Sequence, residues 1–468
     1  MRTLHHWLVV VTLASASALS TIVVVAAPGH ADGARGAVLF VSPHGDKHAT
    51  GTRAHPLRTP QVALARLKGG GTVHLLRGTY RRQRIVLRGR HHVSVVGRHA
   101  VLDARGLTPR NGDSGVVQIE DSTDVSVRGL DIRGYRTRSL RKVPVGIYVT
   151  GSGDSITLSG NRVHSLGNDN RTLGSFDINA HGIAVYGRDP QRPITRLRIE
   201  DNEVDHLHLG ASEAVVVNGN GDDWQVVGNR IHDVDNIGID AIGYEETLAG
   251  RYRYTEANRA RHGVIAHNLV AGVVSRGNPA YWEDGAWCNC ADGIYVDGGT
   301  GIVVRDNVVR RSDIGIEVGA ENGRGHTDHV DVLRNRVTGS AYVGLALGGY
   351  DPRRGEVYDV SVSGNRFRGN NTLDDGSPEL LLQYKLHQLR ITHNTVTATH
   401  RSAPLVLQRD KLVGTPAQNA DVLIDDNAYG GPVPAGGAEF IWLGQAITGF
   451  STYQQRSGQD ARSTWTRR

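Results

Sequence analysis

The sequence predicts an all-β fold, a single-stranded parallel β-helix in which each turn of the chain stacks on the turn before it. Three observations support this prediction: a short phrase with a central Asn recurs nine times, runs of Val, Ile and Leu surround it, and Gly, Asn and Asp mark the ends of the runs. The repeat distances fall within the range of roughly 20–50 residues typical of solenoids, and the chain accommodates roughly eleven coils. The repeated residues are Asn161, Asn202, Asn229, Asn268, Asn307, Asn335, Asn365, Asn394 and Asn427.

The repeated Asn has a physical role at a corner of such a coil. A buried side-chain amide must find hydrogen-bond partners, and an Asn stacked directly on the Asn of the next coil supplies them. We therefore expect an internal Asn ladder from Asn161 to Asn427.

The first 31 residues predict an export signal. Arg2 gives a basic start, Leu8 to Ala27 is almost wholly apolar or small, and Gly29-His30-Ala31 supplies a small-x-small cleavage site. The apolar stretch approaches the length of a membrane span, so an uncleaved anchor is the alternative. We expect cleavage, which leaves a secreted, extracellular chain with no membrane association.

Residues 32–468 are expected to form one β-helix domain with a cap at each end, because a solenoid end otherwise exposes apolar core and unpaired strand edges. The N-terminal cap spans about 38–80. It contains a short strand, Val38 to Val41, and a brief amphipathic cap helix, Thr59 to Leu67. The C-terminal cap spans about 430–468 and is built around the apolar segment Phe440 to Leu443.

The charge balance excludes one class of partner. The formal net charge is +6, but there is no run of five or six like charges, so we expect no nucleic-acid partner. The basic excess agrees with an acidic substrate or an anionic cell wall, and equally with codon bias. We expect a monomer.

A second phrase of seven residues precedes the Asn phrase in six coils. Side chains alternate along a strand, so if the third and fifth positions of each copy point inward, the fourth and sixth point outward. His181 and Glu213, which open the first two copies, are candidate substrate-binding residues. The copies are His181–Gly187, Glu213–Gly219, Ile237–Gly243, Asp292–Gly298, Ile314–Ala320 and Val343–Gly349.

This register places Asp240, Tyr295 and Glu317 at the same outward position of three consecutive coils. Asp297 lies two residues further along the middle strand, about 8 Å from Asp240 and Glu317 by backbone position. Paired carboxyl groups lie roughly 6.5–9.5 Å apart in inverting glycosidases and closer in retaining ones. The alternative is that these are the ordinary polar residues of a solenoid surface.

Further carboxyl groups flank this row, with Asp292 at the start of the middle strand and Glu321 just past the next one. Crowded like charges raise at least one pKa, so that one carboxyl group stays protonated as an acid while another stays ionised as a base or nucleophile. Asp240, Asp292, Asp297, Glu317 and Glu321 are therefore the candidate catalytic residues.

Two of the longer coils carry aromatic loops. The candidate substrate-binding residues include Trp282 and Trp287 of these loops, together with Tyr295. Sugar rings stack their C–H faces on aromatic rings of this kind. The alternative is that the aromatic loops pack on the coil as filler.

Cys288 and Cys290 are the only cysteines. A disulfide across a single residue is expected to be strained, so it is conceivable but not predicted. A zinc site would need further ligands nearby, and the sequence offers none. Their state is left open, as is the identity of any metal.

The N-terminal segments Phe40–Asp46, Gly51–Leu57 and Gly78–Tyr80 resemble the entry signature of secreted right-handed parallel β-helix proteins of the pectate-lyase-like superfamily. The resemblance covers nearly the whole chain after residue 31 and implies a right-handed coil and a carbohydrate-active protein. It does not select a reaction, because the superfamily includes lyases, hydrolases, epimerases and binding proteins.

The segments Ala291–Gly299 and Asp313–Asn322 are similar in kind to β-helical xylosidases and fucosidases, which use an Asp on one coil and an acid on the next. That resemblance implies Asp297 as nucleophile or base and Glu317 or Glu321 as acid.

Three hypotheses follow. The first is hydrolysis of glycosidic bonds in a plant, algal or microbial polysaccharide, with no cofactor required. The second is a polysaccharide lyase that carries out β-elimination on a uronate polymer, a reaction for which Ca²⁺ would be a cofactor. The third is a non-catalytic polysaccharide-binding solenoid.

Overall fold

The computed structural model describes residues 36–399 and 405–467. The predicted export signal, residues 1–31, lies outside the described residues. Within them, no helix is both long and apolar enough to span a bilayer.

Strands, most of them parallel to their neighbours, make up most of the described chain. In chain order they are β1 (Ala37–Val41), β2 (Gly71–Leu75), β3 (Gly78–Arg81), β4 (Ile85–Arg88), β5 (His91–Asp103), β6 (Gly112–Arg133), β7 (Arg136–Thr137), β8 (Lys142–Ser159), β9 (Arg162–His164), β10 (Gly167–Asn168), β11 (His181–Gly187), β12 (Ile194–Glu200), β13 (Glu203–Leu207), β14 (Val215–Gly219), β15 (Gly221–Val227), β16 (Arg230–Val234), β17 (Ile239–Ile242), β18 (Ala260–Ala266), β19 (Leu269–Val273) and β20 (Trp282–Glu283). The series continues with β21 (Ala286–Trp287), β22 (Asp292–Asp297), β23 (Thr300–Arg305), β24 (Val308–Ser312), β25 (Ile314–Gly319), β26 (His326–Leu333), β27 (Arg336–Thr338), β28 (Val343–Leu347), β29 (Glu356–Ser363), β30 (Arg366–Arg368), β31 (Leu380–Leu382), β32 (Leu386–Thr392), β33 (Thr395–Thr397), β34 (Leu405–Arg409), β35 (Val422–Asp425), β36 (Ala428–Gly431), β37 (Glu439–Trp442), β38 (Gln445–Thr448) and β39 (Thr464–Arg467).

Helices are few in the described ranges. The α-helices are α1 (Pro60–Arg66) and α2 (Phe450–Ser457), and the single-turn 3₁₀ helices are Gly250–Tyr252, Glu256–Asn258, Pro279–Tyr281, Ala417–Asn419 and Ala435–Gly437.

The strands stack into three parallel ladders, which run along the three faces of the coil. The first ladder joins β8, β11, β14, β17, β22, β25, β28, β31, β34 and β37. The second joins β12, β15, β18, β23, β26, β29, β32 and β35. The third joins β9, β13, β16, β19, β24, β27, β30, β33, β36 and β39. The predicted all-β class with a long parallel sheet is confirmed.

The repeated Asn residues occupy the corner between the second and third ladders. Nδ2 of each Asn donates to Oδ1 of the next at 3.0–3.1 Å. The backbone N–H of each Asn donates to the same oxygen. The residue before each Asn has a positive φ, as at Gly228 with 70° and Asp306 with 56°. The buried Asn side chains and the backbone N–H groups at the sharp corner therefore satisfy each other's hydrogen-bonding needs.

The predicted inward positions of the second phrase lie in the core. Ile239 and Ala241 of β17, like Ile294 and Val296 of β22, are at most 1% exposed and belong to the main hydrophobic cluster. The alternating register predicted for these strands is confirmed, and it leaves the intervening side chains on the outer side of the first ladder.

Helices lie near both ends of the described coil. Thr59 caps α1 by accepting a hydrogen bond from the backbone N–H of Val62, and Ala63 and Leu64 are buried. At the other end, Tyr453 of α2 stacks on Phe440 with ring centroids 4.1 Å apart. The helix α1 lies within the segment Thr59 to Leu67 that the sequence predicts as helical, whereas no feature of the sequence predicts α2.

Cys288 and Cys290 form a disulfide. The sequence leaves the state of these two cysteines open and does not predict this bridge. The two Cα atoms lie 5.5 Å apart, within the usual range of roughly 4.4–6.8 Å for disulfides.

Candidate functional site

A cavity of about 1050 Å³ lies on the outer side of the first ladder. It exceeds the roughly 300–1,000 Å³ of most small-molecule pockets. Its lining residues are Phe176, Asn179, Tyr186, Ala211, Ser212, Glu213, Asn218, Ile237, Asp240, Ile242, Glu245, Tyr281, Glu283, Cys288, Asn289, Cys290, Asp292, Tyr295, Asp297, Ile314, Glu317, Glu321, Tyr342, Ala346, Tyr350, Leu373, Asp375, Leu381 and Gln383.

The floor of the cavity is the row of outward side chains that the register predicts. Asp240 pairs with Tyr295, Tyr295 with Glu317, and Glu317 with Ala346, and all four line the cavity. Parallel pairing in register holds these side chains in one column, because residues that pair across neighbouring strands share a face of the sheet.

Four of the five predicted catalytic carboxyl groups are buried in this cavity. Asp240, Asp292, Asp297 and Glu317 are each between 3% and 6% exposed, whereas Glu321 lies exposed at the rim. The structure therefore brings all five predicted catalytic residues into one cavity.

One hydrogen bond and one pair of neighbouring groups organise these carboxyl groups. The backbone N–H of Glu321 donates to Asp297 Oδ1 at 2.7 Å, which fixes the orientation of that carboxylate. Asp292 and Glu317 lie on adjacent coils, and each carboxyl group shifts the pKa of the other. Two neighbouring carboxyl groups in a buried site favour holding one proton between them.

Burial raises the pKa of each of these groups. The pKa of Asp292 is raised well above its usual range by burial and then by the Glu317 charge. Burial and the Glu321 charge do the same to the pKa of Asp297, although the Glu321 N–H opposes them. Burial also raises the pKa of Glu317, and the neighbouring Asp292 opposes it. Such perturbed groups in a cleft are characteristic of functional sites.

One oxygen of Asp240 has no hydrogen-bond partner, and the same is true of one oxygen of Asp292. Asp240 is 3% exposed, and no described donor reaches its Oδ1. Burial, followed by the charges of Glu213 and Asp297, raises its pKa well above the usual range. An unpaired carboxylate oxygen in a buried site is costly unless a ligand satisfies it.

Of the two candidate binding residues that open the second phrase, Glu213 lines the cavity and His181 lies behind it. His181 is 3% exposed, and its Nδ1 is 3.3 Å from Glu213 Oε2. Its Nε2 is 3.3 Å from the hydroxyl of Tyr186, which lines the cavity. Burial lowers the pKa of His181, but the Glu213 hydrogen bond and charge outweigh it and leave the pKa raised. His181 thus supports lining residues.

Tyr295 lines the cavity, whereas Trp282 and Trp287 do not. The two tryptophans lie on the paired strands β20 and β21, and their rings pack edge to face with centroids 4.7 Å apart. The same loop supplies Tyr281 to the lining, in contact with the ring of Phe176 at 5.6 Å. In this loop, Trp282 and Trp287 therefore pack on each other, whereas Tyr281 faces the cavity.

Some lining residues were recognisable in the sequence and others were not. Tyr186 and Asn218 occupy the sixth position of their phrases and pair with each other, so the register alone could have found them. Tyr342, Tyr350 and Asp375 lie outside the strands, and no periodic signal marks them.

The cavity acids do not form a ready-made metal site among the described residues. Sets of three possible ligand atoms within 4.8 Å of one another occur instead around His232, either with His206 and Asp233 or with Glu203 and Asp205. These residues lie on β13 and β16 of the third ladder, apart from the cavity.

Comparisons with known proteins connect the chain to one relative by sequence and to others by fold. No model of a known protein family matches the chain. The uncharacterized protein YwoF of Bacillus subtilis strain 168 is 33% identical over 447 residues, which cover 92% of this chain and 88% of YwoF. The GH136 lacto-N-biosidase from Eubacterium ramulus aligns with a TM-score of 0.51 and 12% identity, over 92% of this chain and 67% of that chain. The A-module of the Azotobacter vinelandii mannuronan C-5 epimerase AlgE6 aligns with a TM-score of 0.45 and 14% identity, over 86% of this chain and 91% of that chain.

Proposed function

The chain belongs to the family of the Bacillus subtilis protein YwoF, and we propose that it is a hydrolase that cleaves glycosidic bonds of a polysaccharide in the cavity on the first ladder. The observation that carries the proposal is the burial of Asp292 and Glu317 in one cavity with the oriented carboxylate of Asp297. Glycoside hydrolysis needs one protonated and one ionised carboxyl group on either side of the scissile bond.

The Asp292–Glu317 pair is the proton donor in this proposal. Because burial raises the pKa of both carboxyl groups, the pair keeps a proton at a pH where an exposed carboxyl group has lost it. Glu317 passes the proton to the departing glycosidic oxygen, and the like charge of Asp292 then favours the return of a proton to the pair from water. Glu321 is the alternative donor at the rim.

Asp297 is the base or nucleophile. The N–H of Glu321 donates to its Oδ1 and so opposes the rise in pKa that burial and the Glu321 charge cause. In its ionised form Asp297 either deprotonates the attacking water or attacks the anomeric carbon itself. Asp240 lies one coil away and raises the pKa of Asp292 through its charge.

Aromatic side chains would hold the sugar units. Tyr295 lies between Asp240 and Glu317 in the column, and Phe176 and Tyr350 are 55% and 45% exposed on the lining. Exposed rings of this kind stack on the C–H faces of sugars. The proposed site thus combines a sugar-binding surface with an acid and a base.

The lining favours hydrolysis over β-elimination from a uronate polymer. Among the described lining residues there is no Arg, Lys or His, and the neighbouring cations Arg188 and Arg354 lie against the rings of Tyr186 and Tyr350. The carboxylates of a uronate polymer would instead be repelled by the acidic residues of the lining, which would weaken binding. If the protein were a non-catalytic polysaccharide-binding solenoid, the buried carboxyl groups of Asp292 and Glu317 would have no chemical role.

The test is a panel of polysaccharides incubated with the secreted chain, with and without a chelator. New reducing ends without unsaturated product are expected. Unsaturated uronate that disappears on chelation would replace the proposal by a metal-dependent lyase. Binding without either product, retained in the Asp297→Asn variant, would indicate a polysaccharide-binding solenoid. We also propose that residues 1–31 direct export, which N-terminal sequencing of the secreted chain would test.

A further inference from the structure

The charge of the cavity is opposite to that of the chain. The whole sequence has 53 Lys and Arg against 47 Asp and Glu, so basic side chains are available over much of the surface. The described lining nevertheless contains no basic residue. Its acidic members are Glu213, Asp240, Glu245, Glu283, Asp292, Asp297, Glu317, Glu321 and Asp375.

This excess goes beyond what the proposed hydrolysis needs. Acid and base chemistry uses the Asp292–Glu317 pair and Asp297, whereas Glu245 and Glu283 are exposed acids elsewhere on the lining. Both can contribute charge toward a bound molecule without taking part in proton transfer.

Asp240 points independently to a positively charged or hydrogen-bond-donating ligand. Its carboxyl group is 3% exposed and lines the cavity, yet its Oδ1 receives no hydrogen bond from any described group. A buried carboxylate oxygen without a donor is destabilising. An ammonium group on a ligand would supply both the donor and the opposite charge.

Aromatic lining residues suit the same ligand. Phe176, Tyr281 and Tyr350 offer ring faces or edges along the cavity, and aromatic faces attract organic cations as well as sugar C–H groups. The combination of acids and aromatic rings is the one that recognises an amine carried on an apolar frame.

We propose that the cavity takes a glycan with free amino groups, such as a de-N-acetylated hexosamine polymer. The proposal rests on the proposed function for the reaction, and it adds the chemical class of the substrate.

A divalent cation is the other ligand that carboxylates could attract, and the geometry disfavours it. Within the described residues, the cavity acids do not bring three ligand atoms within 4.8 Å of one another. Calcium takes 6–8 oxygen ligands at about 2.3–2.6 Å. Carboxyl groups spread along a long cavity fit several amino groups on successive sugar units better than one ion.

The test measures binding to hexamers that differ only at the nitrogen. Glucosamine and galactosamine hexamers are compared with their N-acetylated counterparts by calorimetry, using the Asp297→Asn variant so that turnover does not interfere. At least one free-amine hexamer is expected to bind about tenfold more tightly than its acetylated counterpart. Raising NaCl from about 50 to about 500 mM should weaken that binding, because salt screens charge.

A charge-removing variant and a matched control complete the test. The Glu245→Gln/Glu283→Gln double variant should lose about tenfold in affinity for the free-amine hexamer. Its affinity for the acetylated hexamer should not change. Asp223→Asn should have no effect, since Asp223 is exposed outside the cavity and its φ of 52° suits Asn.

Equal affinity for acetylated and free-amine hexamers, no binding of either, or an unaffected double variant would overturn the inference. Calcium titrated alone serves as a further arm, and tight calcium binding that excludes the free-amine hexamers would also overturn it. A reducing-end assay of the unmodified enzyme reports hydrolysis separately. Cleavage of a neutral glycan without binding of free-amine hexamers would leave the proposed function standing and remove the inference. Binding of the free-amine hexamers without cleavage of any glycan would support the inference and remove the proposed function.

Discussion

The backbone N–H of Glu321 donates a 2.7 Å hydrogen bond to Oδ1 of Asp297 across two adjacent coils. Asp297 ends β22, and Glu321 follows β25 directly above it. The bond ties the carboxylate to the backbone of the next coil, so its position is set by the stacking of the solenoid. A carboxyl group that must act as base or nucleophile gains from such an arrangement, because the bond favours the ionised form.

The Asp297→Asn variant should lose activity by a factor of about 10²–10⁴, the usual contribution of general acid–base groups. The amide is isosteric and can still accept from the Glu321 N–H, so the fold is expected to remain. Removing a buried charge should leave the free energy of unfolding at pH 7 unchanged or raise it by about 1 kcal/mol. Initial rates and urea unfolding measure the two effects. Asp223→Asn is the control and should alter neither, and near-normal activity of the Asp297 variant would disprove its assigned role.

The pH dependence of turnover should report the shared proton of Asp292 and Glu317. Because burial raises their pKa values, activity should persist above the usual carboxyl range and fall only when rising pH removes the proton. Asp240, Asp297 and Glu321 face this pair with like charges that hold the proton on.

In the Asp292→Asn variant an amide would donate to Glu317 and favour its ionised form. The alkaline limb of kcat should then move down by about one pH unit. An unchanged pH profile would mean that the pair does not supply the catalytic proton.

Asp240 should contribute less to the free energy of unfolding as the pH rises. Its folded-state pKa is raised by burial and by the Glu213 and Asp297 charges, so the folded protein binds a proton that the unfolded chain has released. The stabilisation is complete below the unfolded pKa of about 4 and is lost as the pH rises through the folded value.

Asp240→Asn removes this dependence. The variant should be more stable than the natural chain by about 2 kcal/mol at pH 8, with a smaller difference at pH 5. Thermal unfolding at the two pH values measures it. A destabilised variant at pH 8 would show that the charge of Asp240 is compensated in the folded protein.

Gly319 leaves the space in which Tyr295 and Glu317 meet. A Cβ at this position would lie 2.8 Å from the Tyr295 hydroxyl oxygen and 3.3 Å from Glu317 Oε1. Gly319→Ala should therefore displace both groups and lower kcat by about tenfold or more, since small misplacements of catalytic groups are expensive. Gly69→Ala is the matched control, because a Cβ there meets nothing within 4 Å, and it should retain full activity. Full activity of the Gly319→Ala variant would show that Glu317 does not act as the proton donor.

The Asn ladder should be as sensitive to substitution as a buried polar network. Asn335 Oδ1 accepts from the backbone N–H and the Nδ2 of Asn307, and its own Nδ2 donates to Asn365 and to the carbonyl of Val304. Asn335→Ala leaves these groups unpaired and should cost about 3 kcal/mol. The exposed neighbour Arg336 is the control, and Arg336→Ala should change stability by less than about 0.5 kcal/mol. Equal unfolding midpoints for the two variants would contradict the ladder's stabilising role.

The column of outward residues was predictable because the coil is periodic. Once the inward positions are assigned to Ile294 and Val296, strand alternation puts Tyr295 and Asp297 on the opposite face, and stacking puts Glu317 beside them. The same reasoning extends to Tyr186 and Asn218. The pairing of Asp292 with Glu317 was not predictable, because it depends on side-chain orientation at the start of β22.

The sequence by itself determined the all-β class, the inward and outward faces of the strands and the acidic column, because each follows from a local period that repeats in every coil. The tertiary structure alone decided what surrounds that column. It paired Trp282 with Trp287 away from the cavity, brought Tyr350 into the lining and joined Cys288 to Cys290. Loops have no period, and their course depends on contacts between segments far apart in the chain, so only the folded chain specifies which of their side chains face the cavity.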